Sequence, residues 1–159
     1  MSNSLCDSLL DNYQKAIMLV AETISQFDQE QWGKGIDFFQ VPSKIAYHTL
    51  DCLDFYFREN PNEEYIWGHR FHGGWWELPD ERQPTQEALL KYLKDVEERI
   101  AQHLTSLNDD DLVTPYDEEK QHGETGLGHY VYALRHTMHH HGALSLLSLY
   151  YGNEEGSWA

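Results

Sequence analysis

The sequence predicts an all-α protein, a four-helix bundle folded as a single domain over residues 1–159. Apolar residues recur at spacings of three and four in four separate stretches. No stretch alternates apolar and polar residues as a half-buried strand does, and the connections are of short to medium length. A chain of 159 residues is long enough to bury most of its apolar surface around one core, so no second domain is needed.

The first helix is expected over residues 6–31, where Leu10, Tyr13, Ile17, Val20, Ile24 and Phe27 form one face and Asp11, Gln14, Lys15 and Glu22 lie between them. Gly33 and Gly35 end it, and a connection through Phe38 and Phe39 leads to Pro42. Proline suits the first turn of a helix, where its missing N–H would be unpaired anyway. The second helix is expected over 42–59, stopped by Asn60-Pro61-Asn62, with Ile45, His48, Cys52, Phe55 and Tyr56 on one face. Residues 60–83 make a long connection containing Trp67, Gly73-Gly74, Trp75 and Trp76, with His69 and His72 among them. A connection of this length is usually functional or wrapped against its domain, so its aromatics either roof a cavity or cover the core or a dimer surface. The third helix starts after Pro84-Thr85 and turns Leu89, Leu93, Val96, Ile100, Leu104 and Leu107 inward; His103 is the first histidine on that face. The acidic run Asn108-Asp109-Asp110-Asp111 and the stretch 116–126 read as a polar loop with solvated charges.

The fourth helix, over 126–151, carries the chemistry. Ala133, Leu144, Leu147 and Tyr151 share a face, and four histidines fall within six positions: His136, His139, His140 and His141. Residues four apart are neighbours on a helix, so His136 and His140 can converge on one ion without bending the backbone. His129, seven positions before His136, points the same way; His139 falls at the edge of the inward face, and His141 turns away toward solvent or a partner. Two imidazoles need at least one further protein ligand to hold a metal well. His48, on the inward face of the second helix, is the third imidazole. The competing reading is that each of these is a hydrogen-bonded core histidine; His69 and His72 are next to weigh if the bundle histidines fail. Gly142 inside a helix costs roughly 1 kcal/mol relative to alanine, which close approach of a neighbouring helix would explain.

Composition removes several function classes. Lys and Arg number 11 against 27 Asp and Glu, a formal charge of -16, so the molecule repels phosphate backbones and anionic membrane surfaces. No apolar run approaches the ~20 residues needed to span a bilayer. The opening Met1-Ser2-Asn3-Ser4 lacks a basic region followed by an apolar one, and a cytoplasmic protein is expected. Cys6 and Cys52 are too few for a disulfide framework and lie in different elements, so both are expected as reduced thiols.

The stretch Pro42-Ser43-Lys44-Ile45-Ala46-Tyr47-His48, together with His136-x-x-x-His140-x-Gly142, resembles the DinB-like (DinB/YfiT-like) family of metalloenzymes, and the resemblance runs over essentially the whole chain in element order and length. It implies that His48, His136 and His140 bind a divalent metal, zinc or nickel first, manganese or iron next, and leave the remaining positions to water. It also implies a thiol-dependent S-transferase, using a low-molecular-weight thiol, or a hydrolase. A homodimer is expected from the family and from the abundance of aromatics. The sequence departs from the commonest pattern at His141 and Ala143, where an Arg and a Gln are frequent. The reacting group would be a coordinated water or thiolate, since three neutral imidazoles leave the metal its full charge and at least one open position. His129, Asp51, Cys52, Tyr47, Phe55 and Trp75 are the residues expected around this centre or lining its pocket, with Cys52 and Asp51 the nearest candidates for a fourth ligand. The alternative function is a non-catalytic bundle protein whose histidines hold a structural or storage metal.

Overall fold

A computed structural model describes residues 3–36, 40–60, 62–115, 125–154 and 156–157. The expectations that rest on Phe38, Phe39, Pro61, the stretch 116–124 and Trp158 lie outside the described residues. The elements are α1 (Ser4–Gln26), α2 (Gln29–Trp32), α3 (Pro42–Tyr56), α4 (Gln86–Ser106), α5 (Asp109–Val113) and α6 (Gly126–Tyr150), with a 3-10 turn at Asp80–Arg82. No strand forms among the described residues. The long helices α1, α3, α4 and α6 make the expected four-helix bundle: α1 packs on α4 and α6, and α3 packs on the same two helices, so α1 and α3 stand diagonally across the core. Tyr13, Ile24, Ile45, Leu50, Leu53, Leu89, Val96, Ile100, Ala133 and Leu144 fill that core.

The helix ends follow from capping. Thr85 and Thr125 accept from the N–H groups of Ala88 and Gly128 at 3.2 and 3.1 Å, satisfying donors that the first turns of α4 and α6 leave open. The single helix expected over 6–31 is two. Phe27 is extended, and Asp28 starts α2 with a capping box in which its carboxylate accepts from Gln31 N and the Gln31 side chain accepts from Asp28 N. The second helix ends at Tyr56, three residues short of the expected 59. The acidic run after α4 is also not a loop: Asn108 and Asp111 form another capping box and open α5. Its Asp109 carboxylate reaches across to accept from Leu5 N at 3.0 Å and Cys6 N at 3.2 Å, placing negative charge at the N-terminus of α1, where the helix dipole favours it.

Residues 62–83 strap the outer side of α3. Tyr65 donates to Asp51 Oδ1 at 2.9 Å, Gly68 N donates to Asp51 Oδ2 at 3.0 Å, and Tyr47 donates to the Gly73 carbonyl at 2.8 Å. Gly68 has φ +73°, and a Cβ there would meet the backbone of Gly73 at 2.3 Å, so only glycine allows this turn. Covered by the strap on one side and the core on the other, α3 is buried almost all round, Asp51 and Asp54 included. Tyr92 donates to Asp54 at 2.6 Å and Arg99 pairs with it, so that buried carboxylate is both hydrogen-bonded and charge-balanced. Cys6 and Cys52 are free and buried. No helix among the described residues is long and apolar enough to cross a membrane.

Candidate metal centre

Where α6 packs on α3, three imidazoles meet. His136 and His140 project one turn apart from α6, and His48 faces them from α3; the three can offer ligand atoms that all lie within 4.8 Å of one another. His140 Nε2 is 3.1 Å from His48 Nε2 and 3.2 Å from His136 Nε2. A neutral ring nitrogen holds either one in-plane proton or one lone pair, so His140 Nε2 can make one good N–H···N bond, not two. A cation accounts for the cluster better. With metal–nitrogen bonds of about 2.0–2.1 Å, nitrogens at tetrahedral angles lie about 3.3 Å apart and at right angles about 2.9 Å, and the two observed separations fall between.

Protonation does not supply that cation. Burial, reinforced by the neighbouring imidazoles His140 and His136, pulls His48 down to about 3. Burial, with His136 and then His139, pulls His140 down to about 4. Both rings are therefore neutral at pH 7, the form a metal requires. His140 Nδ1 is buried with no hydrogen-bond partner among the described residues. A metal on Nε2 would fix the proton on this nitrogen, so the fit rests on the converging Nε2 atoms and not on Nδ1. The residues present thus fit a divalent metal ion on the chemistry of the donor set.

The surroundings sort the expected site residues. Cys52, one turn after His48, places Sγ 3.5 Å from His48 Nδ1, but it does not join the converging set, and burial pushes its thiol up to about 12. Trp75 packs edge-on against His48 with centroids 4.5 Å apart. The other expected neighbours are engaged elsewhere. Asp51 and Tyr47 hold the strap, and Phe55 stacks on Trp67 at 5.0 Å. His129 lies about 10 Å along the helix from His136 and bonds the Tyr56 carbonyl at 3.0 Å, a satisfied core histidine. His69 sits 3.5 Å from the Asp54 carboxylate, outside the cluster. His139 is exposed, as its edge position implied, though its ring contacts that of His140 at 4.9 Å.

Two predictions about α6 are corrected. His141 does not face solvent: it is half-buried against α1, with Nε2 at 3.2 Å from both Thr23 Oγ1 and Ser145 Oγ. Gly142 has no close neighbour, since a Cβ built there meets nothing within 4 Å. Sequence reasoning missed Tyr132, whose ring stacks on His136 at 6.4 Å, and gave no role to Tyr56, which meets His136 edge-on at 5.7 Å. The i,i+4 spacing of Tyr132 and His136 was the available signal.

The fold and the centre define a class: a small helical bundle with a three-imidazole site competent for a metal ion, set between its second and last long helices. The chain belongs to the DinB superfamily, whose family model matches residues 9–144. No curated protein and no solved structure matches it.

Proposed function

We propose that this protein is a metal-dependent enzyme that acts on a small molecule, with His48, His136 and His140 holding one divalent ion. The observation that carries this reading is the convergence of three imidazole Nε2 atoms with no carboxylate or thiol joining them among the described residues. A donor set that stops at three imidazoles is the arrangement of catalytic rather than closed structural sites. When bound, the ion supplies Lewis-acid activation of a coordinated water or thiol at neutral pH. The chain's own residues hold and shape the site. Cys52 packs its sulfur against the His48 ring, 3.5 Å from Nδ1 and 3.8 Å from Nε2, and Trp75, Tyr56 and Tyr132 wall the centre with aromatic surface. Those walls favour a small substrate with apolar surface. Thiol transfer with a low-molecular-weight thiol is the first reaction proposed and hydrolysis the second, on the superfamily relationship. Zinc or nickel is the proposed metal, with manganese and iron next, because imidazole suits them all. A cytoplasmic homodimer completes the proposal, supported by the exposed Leu146 and Tyr150 on the last turns of α6.

Elemental analysis of the untagged protein tests the site, with about one ion per chain expected and none in His48→Ala or in His136→Ala/His140→Ala. The open position is tested by loading cobalt(II) and titrating a low-molecular-weight thiol. Growth of a sulfur-to-metal charge-transfer band is expected; a spectrum that does not respond to thiol, with a fourth protein ligand completing the shell, rules out the enzymatic reading and leaves a structural or storage metal.

A further inference from the structure

A cavity lies across α6 from the histidine centre. It has a volume of about 310 Å³, within the range of small-molecule sites, and is bounded by α1, α6 and the tail residues Gly156 and Ser157. Leu19, Met138 and Leu149 give it apolar walls; no Lys or Arg among the described residues lines it. Glu22 and Glu154 both border it, and neither has an ion-pair partner among the described residues. Glu22 accepts from Ser157 N at 3.1 Å and from the Ser157 hydroxyl, and these bonds hold its carboxyl below the usual range, so it is ionised at neutral pH. The inner polar groups already satisfy one another, His141 with Thr23 and Ser145. The charge left uncompensated is therefore at the rim.

Gly142 adds an independent observation. It lines this cavity from the middle of a 25-residue helix, and a Cβ on it would point into open space. Packing against a neighbouring helix does not require glycine there; room in the cavity is what a side chain would remove.

We propose that this cavity binds a small organic cation, an ammonium group on an apolar body, with the ammonium at Glu22 and Glu154 and the body against Leu19, Met138 and Leu149. The chain's net charge of -16 favours such a ligand and disfavours anions. The site uses none of the three histidines and does not depend on the metal reading.

Calorimetric titration of the intact chain with hexylamine, with hexanol and hexanoate as chain-matched controls, tests this. Saturable binding of hexylamine is expected, with hexanol at least about tenfold weaker, a difference of about 1.4 kcal/mol, and no binding of hexanoate. Gly142→Leu, which fills the cavity, and Glu22→Gln, which removes one of the two rim charges, should each weaken hexylamine at least about tenfold while helical circular dichroism is unchanged, and His136→Ala/His140→Ala should leave it bound. Wild-type affinity in both cavity variants overturns the proposal. So do equal binding of hexanoate, absence of hexylamine binding to the folded protein, and loss of binding in the histidine variant, which would place the amine at the other centre.

Discussion

His140 and His141 are adjacent in α6 and face different helices. His140 looks toward α3, where it meets His48, and its Nε2 lies within 3.2 Å of two other ring nitrogens. His141 looks toward α1, where its Nε2 meets Thr23 Oγ1, and it also meets Ser145 Oγ one turn along its own helix. A hydroxyl can donate or accept as the ring requires, so either hydroxyl can satisfy His141 Nε2 in either tautomer. A cluster of imidazoles cannot adapt in that way, and neighbouring rings add to burial in lowering the proton affinity of His48 and His140. What a histidine can do here is decided by what the opposite helix presents to it.

Swapping the two roles gives the largest expected effect. His140→Ala should abolish stoichiometric metal binding, whereas His141→Ala should keep one ion per chain and cost stability of about 1 kcal/mol, because Thr23 and Ser145 lose a hydrogen-bond partner. Elemental analysis and thermal melts of the two variants measure this directly. Equal metal loss in both would mean that the centre extends across α6.

Acid sharpens the contrast next. His48 and His140 in the folded, metal-free protein titrate near 3 and 4, against about 6.5 in the unfolded chain. The unfolded state therefore binds more protons between those values, so stability is full above about pH 6.5 and falls as the pH drops toward 3. Between pH 7 and 5 each histidine should account for about 1–2 kcal/mol of that fall. His48→Phe/His140→Phe, which removes both titrating groups, should flatten the urea midpoint over this window; an unchanged slope would mean that other groups carry the acid sensitivity.

Cys52→Ala is a smaller perturbation of the same centre. It leaves all three ligands in place and removes the sulfur that packs 3.5 Å from Nδ1 and 3.8 Å from Nε2 of His48. A neighbour that packs on the ring orients it less firmly than a hydrogen-bonded partner, whose loss typically weakens metal by 10–100-fold. At most about tenfold is expected here, read by competition with a chelator, with Cys52→Ser recovering part of it because an atom still packs against the ring.

Much of this architecture was legible in the sequence. His48, His136 and His140 were found because helical periodicity assigns each residue to a face, and Pro42, Thr85 and Gly126 lie at helix starts for local reasons. The same periodicity could not separate His129 from His136. They share a face, but their separation along the axis gives one a carbonyl and the other a place in the imidazole cluster. The break at Phe27 was readable, since Asp28-Gln29-Glu30-Gln31 is a capping box in plain sequence. Asp109 was not. Its role depends on Leu5 and Cys6, more than a hundred residues away, and a charge run looks solvated until its partner is placed beside it. His141 failed for a related reason, because only the packing of α1 on α6 brings Thr23 to it.

Gly142 provides the smallest prediction and the most direct check on the two sides of α6. The expectation of a closely approaching helix fails because an added Cβ meets nothing within 4 Å. Gly142→Ala should then stabilise the protein by about 0.5–1 kcal/mol, since alanine has less backbone entropy to lose in a helix interior and no clash offsets that gain. The methyl enters the α1 side of the helix, so metal content should stay at one ion per chain. A stability loss in a chemical-denaturation series would show that another surface closes over Gly142 in solution, and a loss of metal would show that the two faces of α6 communicate through its backbone.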